Sequence, residues 1–170
     1  MKTSKWHSAI FVAAIVAITV LFPSRLPAQA AVAKEISVQV HSVDPGEVEL
    51  ADSFQVAIYE NLLQELNRTK EFKQVFRDGD RNADQVRNLL VLKTTVEKYT
   101  PGNETRRAVT TVSGATKLTV RTQLVTRDGK IVLERRVHGD VRFFGSNLRA
   151  THNLARNIAK AIKRSQLDVV

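Results

Sequence analysis

KLTVRTQLVTRDGKIVLERRV, residues 117–137, is the stretch on which the fold turns. From Lys117 to Val125 the chain alternates Leu118, Val120, Thr122 and Leu124 against Lys117, Thr119, Arg121 and Gln123. A period of two sends one set to a core and the other to solvent, so the spacing predicts a half-buried strand. Ile131, Leu133 and Val137 mark a partner strand. Asp128-Gly129 between the two is a strong hairpin signal, because both residues tolerate the positive φ of a tight turn. An antiparallel pair is expected here.

Upstream, Leu89 to Lys98 is apolar at its start and alternating at its end, as in a central strand, and Pro101-Gly102 ends it. Residues 103–116 have no clear period and read as a loop or a ragged strand extension. Further back, Ile36, Val38 and Val40 alternate with Ser37, Gln39 and His41, so a strand is expected over Ile36–Val43, stopped by the turn Asp44-Pro45-Gly46. Phe54, Ile58, Leu62 and Leu66, with Ala57 and Leu63 beside them, recur at helical spacing. Asp52 and Gln55 stand where a capping box would start that helix. A short strand Phe72–Phe76 and a polar loop Arg77–Asp84, turning at Asp78-Gly79-Asp80, lead into the central strand. After a loop at Gly139–Gly145, a helix is expected from about Asn147 to Arg164, with Leu148, Thr151, Ala155, Ile158 and Ile162 on one side. Strand, helix, two strands, hairpin, helix is an α+β order. A single sheet of about five mostly antiparallel strands, with two helices packed on one face, buries every apolar stripe at once.

The chain has 170 residues, 43% hydrophobic and 25% charged, the balance of a folding globular domain. It has no cysteine, which excludes disulfides, thiol nucleophiles, cysteine zinc sites and an N-terminal lipidated cysteine. Lys2 and Lys5 precede an uncharged run from Ala9 to Phe22, broken by Pro23. Ala28-Gln29-Ala30 follows with small residues where a signal peptidase reads. The expectation is a secretory signal over residues 1–30, with Ala31-Val32-Ala33 as a second cleavage point, and a single domain over 31–170. Fourteen apolar residues are too short for a membrane span. Export to the periplasm or beyond follows, with no stable transmembrane anchor. Removing Lys2, Lys5 and Arg25 leaves 23 basic and 17 acidic residues, a net +6. Residues 31–100 hold 9 basic and 12 acidic side chains, and residues 101–170 hold 14 and 5, so the second half is strongly basic.

Three segments carry a resemblance: ADQVRNLLVLKTTVEKYTPGNETRR from Ala83, GATKLTVRTQLVTRDGKIVLERRVHGD from Gly114, and the terminal NLARNIAKAIKRS from Asn153. Together they resemble the bacterial family known as domain of unknown function 4410. The matching positions are Asp84, Pro101, Gly102, Asn103, Arg106, Asp128, Gly129 and Lys130, and the helix FQVAIYENLLQELNRTKEF fits the family's first half. The likeness covers most of residues 36–165. It implies a small exported or lipid-anchored α+β envelope domain, similar in layout to assembly lipoproteins of secretion and polysaccharide export. The absent lipidation cysteine departs from that pattern. The family brings no catalytic residues.

The residues offer little chemistry of the enzymatic kind. His41, His138 and His152 are the histidines beyond the leader, and His138-x-Asp140 supplies two ligand types where a zinc site needs three or four. Asp78, Asp80 and Asp84 crowd one loop, but Arg77 and Arg81 neutralise them and the spacing lacks the glycine and final glutamate of a calcium loop. Glu47 and Glu49 have no spacing that sets them across a cleft. Glycines are scattered singly, and Ser53, Ser113 and Ser146 lack a nucleophile motif. No enzyme, metal or cofactor is expected.

A basic stripe is the feature with functional content. Arg149, Asn153, Arg156, Lys160 and Lys163 share one side of the terminal helix, opposite the apolar stripe, and Arg106, Arg107, Lys117, Arg121, Arg135 and Arg136 lie nearby in sequence. Such a stripe is the wet side of an amphipathic helix, with Lys160, Lys163 and Arg164 also favoured at a helix C-terminus. It can also draw an anionic surface: lipid headgroups, acidic polysaccharide or an acidic protein. Phe143 and Phe144 stand together before Gly145, either plugging the gap between sheet and helix or forming a contact patch. Single-stranded nucleic acid needs aromatic platforms, for which only Tyr99, Phe143 and Phe144 are at hand, so no nucleic acid is expected. The functional expectation is an exported non-enzymatic binding or assembly module of the bacterial envelope, its partner an envelope protein or an anionic surface. The alternative is a soluble periplasmic binder of an anionic ligand, an acidic glycan or lipid headgroup. Candidate contacts are Arg149, Arg156, Lys160, Lys163, Phe143 and Phe144.

Overall fold

The computed structural model describes residues 35–103, 105–106, 114–141, 146–165 and 167. The expected leader, the Phe143-Phe144 pair and most of the 103–116 segment lie outside them. Five strands and two helices follow in the order β1 (Ser37–Val40), α1 (Asp52–Thr69), β2 (Val75–Phe76), β3 (Leu89–Thr100), β4 (Thr116–Val125), β5 (Ile131–Val141) and α2 (Arg149–Arg164), with a 3-10 turn at Arg81–Gln85.

The strands form one sheet in the order β2-β1-β3-β4-β5, so the predicted central strand is central. Pairing is antiparallel along the two long ladders, β3–β4 and β4–β5, and parallel along the short ones, β1–β2 and β1–β3. The α+β architecture is the one the apolar stripes require. Leu118, Val120, Thr122 and Leu124 all face the helices, opposite Val96, Thr94 and Leu92 of β3 and Val137 and Leu133 of β5. Val38 and Val40 continue that layer, and Ile58, Leu62 and Leu66 of α1 with Leu154, Ile158 and Ile162 of α2 close it from above. The helices pack on each other, α2 over β4 and β5, α1 beside β1 and β2. On the opposite face the 3-10 turn buries Ala83 with Phe76 and Leu89, a satellite cluster at one end of an otherwise open surface.

Several local expectations are corrected. The capping box is not formed: Ala51 is the N-cap, Asp52 is already the first helical residue, and no side-chain cap bond is made. Gln55 instead sends Nε2 to the Leu50 carbonyl at 3.1 Å, which ties the incoming chain to the first turn. The strand expected over Ile36–Val43 is regular only to Val40, because the chain then slips one residue against β3 and rejoins it at Asp44, whose N–H donates to Thr94 O and whose carbonyl accepts from Val96 N. The strand expected at Phe72–Phe76 is only Val75–Phe76, since Phe72 turns into the main core. Leu148 is 42% exposed, and Ala150, Leu154 and Ala159 join the buried side in its place. Arg135 and Arg136, adjacent in sequence, lie on opposite faces of β5, because neighbours on a strand alternate.

Gly139 is where α2 meets the sheet most closely. A Cβ there would lie 2.5 Å from Ala150 O, 2.5 Å from Leu154 Cβ and 2.7 Å from Leu154 N. No side chain fits between β5 and the first turns of α2, so glycine sets how deep the helix can sit.

Candidate functional site

The outward arc of α2 runs from α1 on one side to the edge strand β5 on the other. At the β5 end, Asn153 Nδ2 donates to Asp140 O at 2.7 Å and Asn157 Nδ2 to His138 O at 2.8 Å. Which way those carbonyls point follows from the ladder. Thr94 and Val96 bond to Asp44, so the residues between them face β4, and alternation from there turns His138 and Asp140 outward. The two asparagines therefore occupy acceptors that an added strand would need, one way in which a long edge is protected.

At the α1 end the stripe borders a groove of about 440 Å³, lined by Glu65, Arg68 and Thr69 from α1 and by Arg156, Ala159, Lys160 and Lys163 from α2. The fold thus gathers three of the four α2 cations of the sequence stripe around one concavity and adds Arg68. Arg149 is exposed at the other end of the helix and is not among the groove's lining residues, and Asn153 is taken up by β5. Lys163 Nζ stands 3.7 Å from Glu71 Oε1. Lys160 has no partner among the described residues, and the Arg156 guanidinium contacts only the His152 ring, Nη2 to Nε2 at 3.1 Å.

Glu65 is the residue that sequence reasoning passed over. It is 5% exposed, yet it carries a carboxyl on the buried side of α1 between Leu62 and Leu66. Its Oε1 lies 3.6 Å from Arg68 Nη1 and 3.8 Å from His152 Nε2, both beyond hydrogen-bond reach. The same His152 Nε2 faces Arg156 Nη2 at 3.1 Å, and because a guanidinium only donates, an Nε2 that accepts from Arg156 has no proton for Glu65. The signal was present in the sequence: a charged residue inside an apolar helical period.

The remaining candidates are absorbed by structure. Asp78 accepts from Ser42 N at 2.9 Å, Asp80 caps the 3-10 turn through Asn82 N at 2.9 Å, and Arg77 holds Glu60 with two bonds of 2.6 and 2.8 Å. His138 lies on the open sheet face against Thr119, Nδ1 to Oγ1 2.9 Å, and His41 stands 3.9 Å from Asp78. Among the described residues no cluster of three or more histidine, aspartate or glutamate side chains could hold a metal. None of the described helices is long and apolar enough to cross a membrane. The open sheet face is basic but internally paired at its centre. Arg121 and Arg136 stand directly opposite each other, and Glu97, displaced by the bulge in β3, reaches Arg136 Nε at 2.5 Å and Nη2 at 3.2 Å. The Arg136 hydrogen bond, then its charge and that of Arg121, hold the Glu97 carboxyl below its ordinary pKa.

No protein-family model matches the chain, and no curated protein does. Solved structures do share its fold. A single-residue variant of the PelC dodecamer of Paraburkholderia phytofirmans superposes with a TM-score of 0.55 at 17% identity, over 78% of this chain and 89% of that one. The PelC dodecamer in a second crystal form gives 0.55 at 16%, over 72% and 86%. A Xanthomonas campestris protein assigned to a different family of unknown function gives 0.48 at 10%, over 81% and 88%. For the two PelC structures, identities this low establish a shared fold and no shared task.

Proposed function

We propose that this chain is an exported, non-enzymatic binding module of the bacterial envelope that takes an anionic ligand or surface into the α1–α2 groove. The observation that carries the reading is the convergence of Arg68, Arg156, Lys160 and Lys163 on one concavity, where among the described residues Lys160 is unpaired and Arg156 has no carboxylate partner. Four cations around a groove raise the local positive potential more than the same charges spread along a helix, because the walls focus the field. The leader-like residues 1–30 support export, and the resemblance to the 4410 family supports an envelope setting.

The test is binding of the mature chain to acidic glycans and to anionic lipid vesicles, compared with a variant carrying Arg156→Glu and Lys160→Glu. Loss of binding with an unchanged melting temperature supports the groove as the site. Retained binding in the double variant removes it.

A second reading, assembly with protein copies, is favoured by the PelC structures, which are dodecamers of the same fold. Sedimentation of the mature chain and crosslinked capture from gently solubilised envelope separate the two. A closed oligomer or a stoichiometric envelope protein supports assembly; a monomer captured alone supports the ligand reading.

A further inference from the structure

Glu65 is at odds with a plain anion site. A carboxylate among four cations neutralises part of the field that would attract an anion, and among the described residues its burial is offset only by the ion pair with Arg68 at 3.6 Å and the His152 ring at 3.8 Å, with no hydrogen bond. Leucine would continue the apolar stripe of α1 at that place. What the carboxylate does offer is an anionic acceptor at a groove whose other charged groups, Arg68, Arg156, Lys160 and Lys163, only donate.

The chemistry that uses both is a ligand with hydroxyl protons close to a negative group. We infer that the α1–α2 groove is a site for a hydroxyl-bearing anion, in which Glu65 accepts from ligand hydroxyls while Arg156 and Lys160 hold the anionic group. Geometry permits one small ligand to reach both. Arg156 Nη2 is 3.1 Å from His152 Nε2, which is 3.8 Å from Glu65 Oε1, so the guanidinium nitrogen and the carboxylate oxygen are separated by no more than those two legs end to end. A sugar acid spans that gap, its ring hydroxyls on one side and its carboxylate on the other. A glycerol phosphate headgroup offers the same pairing. The inference rests on the groove being an anion site, and it adds that Glu65 sets the specificity.

The experiment uses the mature chain and two matched pairs of probes at fixed ionic strength. Oligogalacturonate is compared with polyglutamate of equal charge, which has no hydroxyls. Phosphatidylglycerol vesicles are compared with phosphatidylmethanol vesicles, a phosphodiester of equal charge whose headgroup has no hydroxyl. Preference for the hydroxylated member by about ten- to a hundredfold is expected from one or two charge-assisted hydrogen bonds. The pair in which the preference appears tells whether the source is a glycan or a lipid. Glu65→Leu should keep binding to polyglutamate or phosphatidylmethanol and lose the preference. Equal affinity within both pairs overturns the role of Glu65 while leaving the basic groove as an anion site. Absence of binding to all four probes overturns both. Should Glu65→Leu fail to fold, the wild-type comparison alone still decides.

Discussion

Gly139→Ala tests the seating of α2 with a single methyl group. Three atoms stand in its way at 2.5–2.7 Å, whereas unstrained carbon contacts lie near ~3.5–4.0 Å, so α2 must retreat by about 1 Å. Two of the three are main-chain atoms of α2 and the third is the Cβ of Leu154, so no rotamer change relieves the clash. Overpacking of a tight core costs ~1–3 kcal/mol, and the upper end applies where only a helix shift makes room. Alanine returns about 0.5–1 kcal/mol by restricting the unfolded chain, since Gly139 is not among the glycines with positive φ. The net loss is ~2 kcal/mol, or about 5–10 °C in melting temperature for a domain of this size. Urea unfolding followed by circular dichroism reads it directly. Gly129→Ala is the control: its Cβ would meet nothing, and only the φ of 86° is strained, at ~1 kcal/mol. A Gly139→Ala midpoint equal to wild type, or smaller in effect than the Gly129 control, refutes the close approach of helix and sheet.

Asp78→Asn should flatten the acid limb of stability. The Ser42 N–H holds the Asp78 carboxyl below its ordinary value of 3.8, against the opposing pull of partial burial, so its contribution is full above that value and lost as pH falls through the lower one. Identical acid unfolding in variant and wild type would show that another carboxylate sets the limb. Thr94→Val and Thr122→Val remove the hydroxyls of two residues paired across β3 and β4, both buried and without partners among the described residues. Each should raise the urea midpoint by an amount worth ~1 kcal/mol, and a fall would mean the hydroxyls are satisfied. Asn153→Ala with Asn157→Ala frees the outward carbonyls of β5, and concentration-dependent association in sedimentation is expected. A strictly monomeric double variant would show the edge is guarded by something else. Glu97→Gln leaves Arg121 and Arg136 opposed without their carboxylate, so the variant should be less stable at low salt and recover as salt rises; a salt-independent loss contradicts a charge origin.

The strands and helices were legible because burial writes a period into the sequence. Alternation from Lys117 to Val125 and the Asp128-Gly129 turn suffice for the β4–β5 hairpin, and the spacing of Ile58, Leu62 and Leu66 suffices for α1. What lay beyond reach were features made by residues distant along the chain. Asp52 and Gln55 have the right spacing for a capping box, but a cap depends on the path by which the chain enters the helix, and Leu50, buried in the core, draws Gln55 elsewhere. The basic stripe on α2 was visible as a stripe. Its division was not: Asn153 turns to β5, Arg156 and Lys163 turn to α1, and Arg149 is left at the far end.

The sequence by itself determined which faces are apolar, where the chain turns and that charge gathers in its second half, since all three depend on neighbours within a few residues. Only the tertiary structure decided what the charge surrounds. Arg68 and Glu65 come from the acidic half and lie some ninety residues before Arg156 and Lys160, and no local period relates them. Packing α1 against α2 over the sheet sets two acceptor oxygens among four cations, because the same burial that closes the core brings the polar margins of both helices to one line.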